Sequence, residues 1–111
     1  MNKSIEFTRT FVAFCSDMIA RGRVFKIAEV RRGEMQQYFY YLSGRSRCNG
    51  ITNRSNHQDP TRAADLDFYD ENGRYFYPDN SPDVYLDEHH IWQSNYGGKP
   101  VISWDLRHFE I

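Results

Sequence analysis

Two histidines and two aspartates stand at positions from which they could hold a metal ion. His57 lies in a polar loop, Asp65 lies near the start of an apparent strand, and His108 follows Asp105 by three residues near the C-terminus. A catalytic zinc takes three protein ligands from His, Cys, Asp and Glu and leaves its fourth position to water. His57, Asp65 and His108 would supply two nitrogens and one oxygen. Asp105 would then accept the proton of the water that the metal activates.

Each of these residues also has an ordinary structural interpretation, because His and Asp are common in loops and turns. His57 could bond its loop neighbours, Asp65 could cap a turn, and His108 could be a half-exposed strand residue. The adjacent His89 and His90 point in successive directions on an apparent helix, so we interpret the pair as surface residues, with packing of one of them near the groove as the alternative.

Hydrophobic periodicity predicts the elements that position these residues. Apolar side chains recur at helical spacing in Ile5–Ile19, Glu34–Leu42 and Pro82–Tyr96. Strands are predicted at Phe25–Val30, Ala63–Tyr69 and Arg74–Tyr77, with a hairpin turn at Asn72-Gly73 and further extended chain at Val101–Trp104 and Arg107–Ile111. In the last helix we expect four side chains to face inward at least in part: Val84, Leu86, Ile91 and Trp92. The order of elements predicts an α+β fold, with helices on one face of a small, mainly antiparallel sheet.

This architecture places a geometric demand on Asp105. Asp65 would lie near the start of a central strand and His108 on its neighbour, with His57 in the polar loop Gly44–Pro60 that precedes the central strand. Residues three apart on a regular strand point to opposite faces of the sheet. Asp105 and His108 can therefore share a site only if Asp105 lies in a turn before the strand.

Length and composition bound the classes of function. A chain of 111 residues with 40% hydrophobic and 26% charged side chains fits one globular domain, residues 1–111. A net charge of -1 argues against nucleic acid or anionic membranes as partners and favours a small ligand or an uncharged polymer. We expect no membrane-spanning segment or signal peptide, and free thiols at Cys15 and Cys48 in a reducing cytosol. Trp92, Tyr96 and Trp104 could line a substrate groove.

Several short motifs occur in the order found in a known family. Ser55-Asn56-His57, Ala63-Ala64-Asp65 and Trp104-Asp105-Leu106-Arg107-His108-Phe109-Glu110 resemble the metal-binding signature of the zinc D-alanyl-D-alanine carboxypeptidases and L-alanyl-D-glutamate endopeptidases. These enzymes are related to lysostaphin-type peptidases and to the hedgehog signalling domain. Upstream, the runs Arg32-Gly33-Glu34-Met35-Gln36-Gln37, Gly44-Arg45-Ser46 and Ile51-Thr52-Asn53 are similar to the family's Arg-rich turn, glutamine-bearing helix and Gly-Arg-Ser/Thr loop. The resemblance implies a hedgehog/D,D-peptidase-like version of the α+β fold.

Carried over position by position, the resemblance implies three zinc ligands and a base. His57, Asp65 and His108 would bind Zn²⁺, and Asp105 would be the general base. His57 and Asp65 are separated by one residue more than in most relatives, which a bulge in the loop would absorb. Asp67, which shares a strand face with Asp65, is the alternative ligand, but choosing it would break the Ala-x-Asp match.

The resemblance also implies how substrate would be held. Arg32 would polarise the scissile carbonyl, with its neighbour Arg31 as a rival for that role. Gln37 and Ser55 would hydrogen-bond to the substrate or to the wall of the site.

The implied activity is hydrolysis of an amide bond in the peptidoglycan stem peptide. An Asp in the base position resembles the L-alanyl-D-glutamate endopeptidases, many of them from bacteriophages. We therefore expect a monomeric phage or prophage lysin that accumulates in the cytoplasm and acts on the wall after release. The alternatives are a D-alanyl-D-alanine carboxypeptidase, whose carboxylate pocket Arg45, Arg47 or Arg54 could supply, and a zinc-containing binding domain without catalysis.

Overall fold

A computed structural model of the chain describes residues 3–30 and 62–111. In chain order these residues form α1 (Lys3–Ala20), β1 (Val24–Glu29), β2 (Ala63–Tyr69), α2 (Pro82–Tyr96) and β3 (His108–Glu110). The strands pair antiparallel in the order β1-β2-β3, so β2 is central. The predicted α+β class and antiparallel sheet are confirmed. The predicted helix Glu34–Leu42 and loop Gly44–Pro60 lie outside the described residues.

Helix α1 buries the face that its apolar spacing predicts. Phe7, Phe11, Phe14 and Met18 recur every three or four residues, and all four are buried. The chain turns at Gly22, whose φ of +82° is costly for a residue with a Cβ. Neither described helix is long and apolar enough to cross a membrane.

The two faces of β2 carry different chemistry. Ala64, Leu66 and Phe68 point to the helices and join a core built from α1, Tyr85 and Trp92 of α2, and Phe109 of β3. Ala63, Asp65 and Asp67 alternate with them and point to the opposite face, yet they are also buried. The predicted packing of helices on one face of the sheet is confirmed, and the acidic side chains lie on the other face.

A bulge brings an additional carboxylate to the acidic face. The register of β1 against β2 shifts between Ile27 and Glu29, so that Ile27 lies opposite Leu66 and Glu29 lies opposite Asp65. Without the extra residue at this point, Glu29 would not be the neighbour of Asp65.

Two predicted extended segments are wrong. Arg74–Tyr77 follows the predicted turn at Gly73, but it pairs with β2 through an isolated bridge between Tyr69 and Tyr75 instead of a continuous ladder. The Phe76 carbonyl accepts a hydrogen bond from the Tyr85 hydroxyl, and the chain then reaches Pro78, which has no N–H for a ladder. Val101–Trp104 is also no strand, because the Asp105 N–H bonds back to the Ile102 carbonyl and closes a turn.

Helix α2 has the predicted bounds and, as predicted, packs Val84, Ile91 and Trp92 against the core, but polar residues share its buried face. Its buried residues are Tyr85, Glu88, His89 and Trp92, whereas Leu86 is 40% exposed. Glu88 can be fully buried because the guanidinium groups of Arg21 and Arg23 compensate its charge. Nη2 of Arg21 lies 2.7 Å from Oε1 of Glu88, and Nε of Arg23 lies 2.8 Å from Oε2. These polar members of the buried face are invisible to a hydropathy pattern.

The end of α2 packs so closely that one position accepts only glycine. A Cβ on Gly98 would lie 2.0 Å from Nε1 of Trp92. The indole cannot swing away, because it is fully buried and its Nε1 donates to the Glu110 carbonyl at 2.9 Å.

We therefore expect Gly98→Ala to destabilise the fold. Overpacking of this kind lowers the free energy of unfolding by about 1–3 kcal/mol. Because the indole cannot move, we expect a loss at or above the upper end of this range. Urea unfolding of the variant measures the loss, with Gln93→Ala on the exposed side of α2 as the control. Equal midpoints for the two variants would contradict the contact.

Candidate metal centre

Three residues with metal-binding side chains converge on the acidic face of the sheet. Asp65, Asp105 and His108 each offer one ligand atom, and these three atoms lie within 4.8 Å of one another. Asp65 is 6% exposed, whereas Asp105 and His108 are half-buried. Two carboxylate oxygens and one imidazole nitrogen at this separation are a suitable donor set for a divalent cation such as zinc.

The pairing of β2 with β3 sets the positions of two of these residues. Asp65 lies directly opposite His108 in the antiparallel register, so both side chains project from the same face. Asp105 precedes β3 in the turn that Ile102 begins, and the His108 N–H donates to its carbonyl at 3.2 Å. The geometric demand that Asp105 lie in a turn is therefore met.

The turn that carries Asp105 is anchored to both the sheet and α2. The Leu66 N–H donates to the Arg107 carbonyl at 2.9 Å, which ties the end of the turn to β2. The ring of His89 contacts the Leu106 carbonyl through Nε2 at 2.7 Å, and it stacks on Phe109 with ring centroids 3.8 Å apart. A carbonyl can only accept, so Nε2 carries the hydrogen. The prediction that His89 is a surface residue is wrong.

His89 is held in its neutral form. Burial lowers its pKa to about 4, and the nearby His108 adds to this effect while the bond to the Leu106 carbonyl opposes it. Its Nδ1 is buried and has no hydrogen-bond partner within residues 3–30 and 62–111. A second proton would therefore enter an apolar position without an acceptor.

The imidazole of His108 lies between two carboxylates. Nδ1 is 3.6 Å from Oδ1 of Asp65, and Nε2 is 2.9 Å from Oε1 of Glu110. Burial alone would lower the pKa of His108, but the adjacent carboxylates of Asp65 and Glu110 outweigh it and raise the pKa to about 9. The metal-free ring is therefore protonated at neutral pH, and a cation that binds one of its nitrogens must displace a proton.

Asp67, the alternative ligand, instead pairs with basic side chains of the protein. Its Oδ1 accepts from Nε of Arg107 at 2.5 Å and from the Tyr75 hydroxyl at 3.1 Å. Nζ of Lys26 lies 3.8 Å from its other oxygen. Although Asp65 and Asp67 share a strand face, Asp65 belongs to the three-residue cluster and Asp67 to a separate charge network.

Other predicted site residues lie outside the described chain. They are the ligand His57, the carbonyl-polarising Arg32 with its rival Arg31, and the substrate-binding Gln37 and Ser55. These assignments stay predictions.

The aromatic residues proposed for a groove wall have different surroundings. Trp92 is fully buried in the core and cannot line a groove, and the hydroxyl of the half-buried Tyr96 donates to Asp17. Trp104 is 77% exposed, immediately before Asp105 in the chain.

Sequence reasoning missed two residues that support the cluster. Glu110 bonds His108, and the spacing of two residues on a strand was a signal for it, because such residues share a face. His89 supports the turn that carries Asp105, and no local pattern pointed to it, since its partner Leu106 is 17 residues away in the chain.

Comparison with protein-family models and with curated proteins gives no match for this chain. Membership in a particular peptidase family is therefore a proposal that rests on the motifs and on the cluster they form.

We expect the neutral, buried His89 to make the protein sensitive to acid. Between pH 6.5 and 4 the unfolded chain takes up a proton at this residue that the folded chain does not, so the free energy of unfolding falls as the pH is lowered. The contribution is on the order of 3 kcal/mol. Urea unfolding across this range should show a shallower pH dependence for His89→Gln, which keeps a donor for Leu106.

The exposed neighbour provides the control for this measurement. His90→Gln should retain the wild-type pH dependence. If His89→Gln and the wild type lose stability with equal slope, the neutral state of His89 is not the cause.

A second prediction separates the two aspartates of β2. Asp65→Asn replaces a charged ligand by a weakly coordinating amide, and we expect zinc affinity to fall by about 100-fold or more, beyond what loss of an outer contact costs. Asp67→Asn should change it far less, because that carboxylate binds Arg107 and Tyr75. Competition with a zinc-binding dye measures both constants. A larger loss of zinc affinity for Asp67→Asn than for Asp65→Asn would make Asp67, and not Asp65, the ligand.

Proposed function

We propose that this protein is a zinc-dependent hydrolase that cleaves an amide bond in the peptidoglycan stem peptide. The observation that carries the proposal is the convergence of Asp65, Asp105 and His108, whose ligand atoms lie within 4.8 Å of one another. These residues come from two separate motifs that resemble those of the zinc peptidases. The meeting of the two motifs at one place supports the proposal.

The residues of the cluster divide into ligands and base by their exposure and support. Asp65 is buried and lies opposite His108 in paired strands, which suits two ligands that must hold a fixed distance. Asp105 is half-buried in a turn, which suits a base that must reach water and substrate. His57 completes the proposed ligand set.

Zinc held by these residues would supply a Lewis acid that polarises the scissile carbonyl and lowers the pKa of a water molecule to roughly 7. Asp105 accepts the proton of the attacking water and afterwards delivers it to the leaving amine, as a general base and then a general acid. The hydrogen bond between the backbone N–H of His108 and the backbone carbonyl of Asp105 holds the turn that carries this base next to β3.

The bond that we propose for cleavage is the one between L-alanine and D-glutamate. The support for it is the Asp at the base position, where the resembling endopeptidases also have an Asp. Arg32 stabilises the oxyanion in this proposal, and Gln37 and Ser55 orient the stem peptide. The hedgehog/D,D-peptidase-like topology belongs to the same proposal.

The direct test combines metal analysis with digestion of purified peptidoglycan. We expect one zinc per chain by mass spectrometry and new L-alanine carboxyl ends in the released fragments. Release of free D-alanine would instead assign the carboxypeptidase activity. One zinc without cleavage would make the protein a binding domain, and a chain that takes up no zinc would refute the proposed metal centre.

Asp105→Asn tests the role of the base. It should lower the hydrolysis rate by about 10²–10⁴-fold, the usual contribution of general acid–base catalysis, while zinc affinity stays close to that of the wild type. An unchanged rate would exclude Asp105 as the base. A large loss of zinc would make Asp105 a ligand instead.

A further inference from the structure

The ring of His108 is fixed from both of its nitrogens. Nδ1 lies 3.6 Å from Oδ1 of Asp65, and Asp105 offers a ligand atom within 4.8 Å of those of both residues. Nε2 faces the other way, 2.9 Å from Oε1 of Glu110. His108 and Glu110 are two residues apart on β3, so their side chains project from the same face of the strand.

Glu110 is itself held rigidly. It is 7% exposed, and its second oxygen is 2.7 Å from Nζ of Lys99 and 3.8 Å from the guanidinium of Arg62. Its carbonyl accepts from the Trp92 indole and from the Lys99 N–H, both at 2.9 Å. A carboxylate restrained in this way presents Oε1 to His108 in one position.

We propose that Glu110 is a positioning residue that selects Nδ1 of His108 as the metal-binding nitrogen. Its carboxylate accepts the hydrogen of Nε2, so the lone pair of the neutral ring lies on Nδ1, which faces Asp65. Histidines that bind metals commonly donate their second N–H to a carboxylate, which fixes the tautomer and orientation of the ring and makes the ligand more basic. The inference rests on the proposed function, because it presupposes a zinc ion held by Asp65 and His108.

Glu110 also pairs with Lys99, and the alternative role for it is to anchor β3 through this ion pair alone. The two roles use different oxygens: Oε1 contacts His108 and Oε2 contacts Lys99. A variant at Lys99 therefore removes the ion pair and leaves the acceptor for His108 in place. Lys99→Met is the matched control.

The experiment measures zinc affinity by competition with a chelator in four proteins: the wild type, Glu110→Ala, Glu110→Gln and Lys99→Met. Glu110→Ala removes the acceptor and should weaken zinc binding by about 10–100-fold. Glu110→Gln keeps an oxygen that can accept from Nε2, so it should recover much of that loss. Lys99→Met should bind zinc nearly as the wild type does, even where its unfolding midpoint falls.

Imidazole ¹⁵N–¹H correlation spectra of the zinc-loaded wild type supply a readout that needs neither catalysis nor a folded variant. We expect the ring hydrogen of His108 to be on Nε2. The change in ¹⁵N chemical shift that metal coordination causes should appear on Nδ1. A hydrogen on Nδ1 would overturn the proposal, and so would equal zinc affinity in Glu110→Ala and the wild type. A wild type that binds no zinc would refute the proposed function as well, which distinguishes failure of the metal centre from failure of the Glu110 role alone.

Discussion

The described site depends on the register of β3 against β2. Asp65 lies opposite His108, and Phe109 lies opposite Ala64 on the other face. A slip of one residue would move the imidazole to the side of the helices and the phenyl ring to the acidic side. The slip is opposed by the core, because Phe109 is fully buried and packs against Phe14, the stacked His89 and the indole of Trp92. Hydrophobic packing on one face thus sets the geometry of polar groups on the other.

The divergence of Asp65 and Asp67 follows from where cations lie beside the central strand. The two carboxylates share a residue type, a strand and a face, and both are nearly buried. Arg107 and Lys26 approach Asp67 from the neighbouring segments on either side. Asp65 instead has His108 opposite it and the turn with Asp105 nearby. Burying a carboxylate is costly without compensation, so the distribution of cations decides which aspartate is available to a metal ion.

Local patterns in the sequence predicted the elements, and tertiary contacts account for what they missed. β2 and α2 have their predicted bounds because alternation, Pro82 and Gly97 mark them locally. The burial of Glu88 depends on Arg21, 67 residues away, and no helical period reveals such a pair. For the site, the motifs alone predicted that Asp65, Asp105 and His108 lie close together. Glu110 lies within the same motif, but its bond to His108 depends on the orientation of the imidazole ring, which the sequence does not specify.

The charge balance of the cluster explains why a metal ion and a proton compete for it. Two carboxylates that offer oxygens within 4.8 Å of each other and of an imidazole nitrogen repel each other unless a positive charge lies among them. In the metal-free protein that charge is the imidazolium of His108, which has a pKa of about 9 although burial opposes its charged form. A divalent cation brings a larger charge to the same place, and the proton on the nitrogen that faces Asp65 must then leave. Protonation of His108 and metal binding are therefore alternative ways to compensate the same buried negative charge.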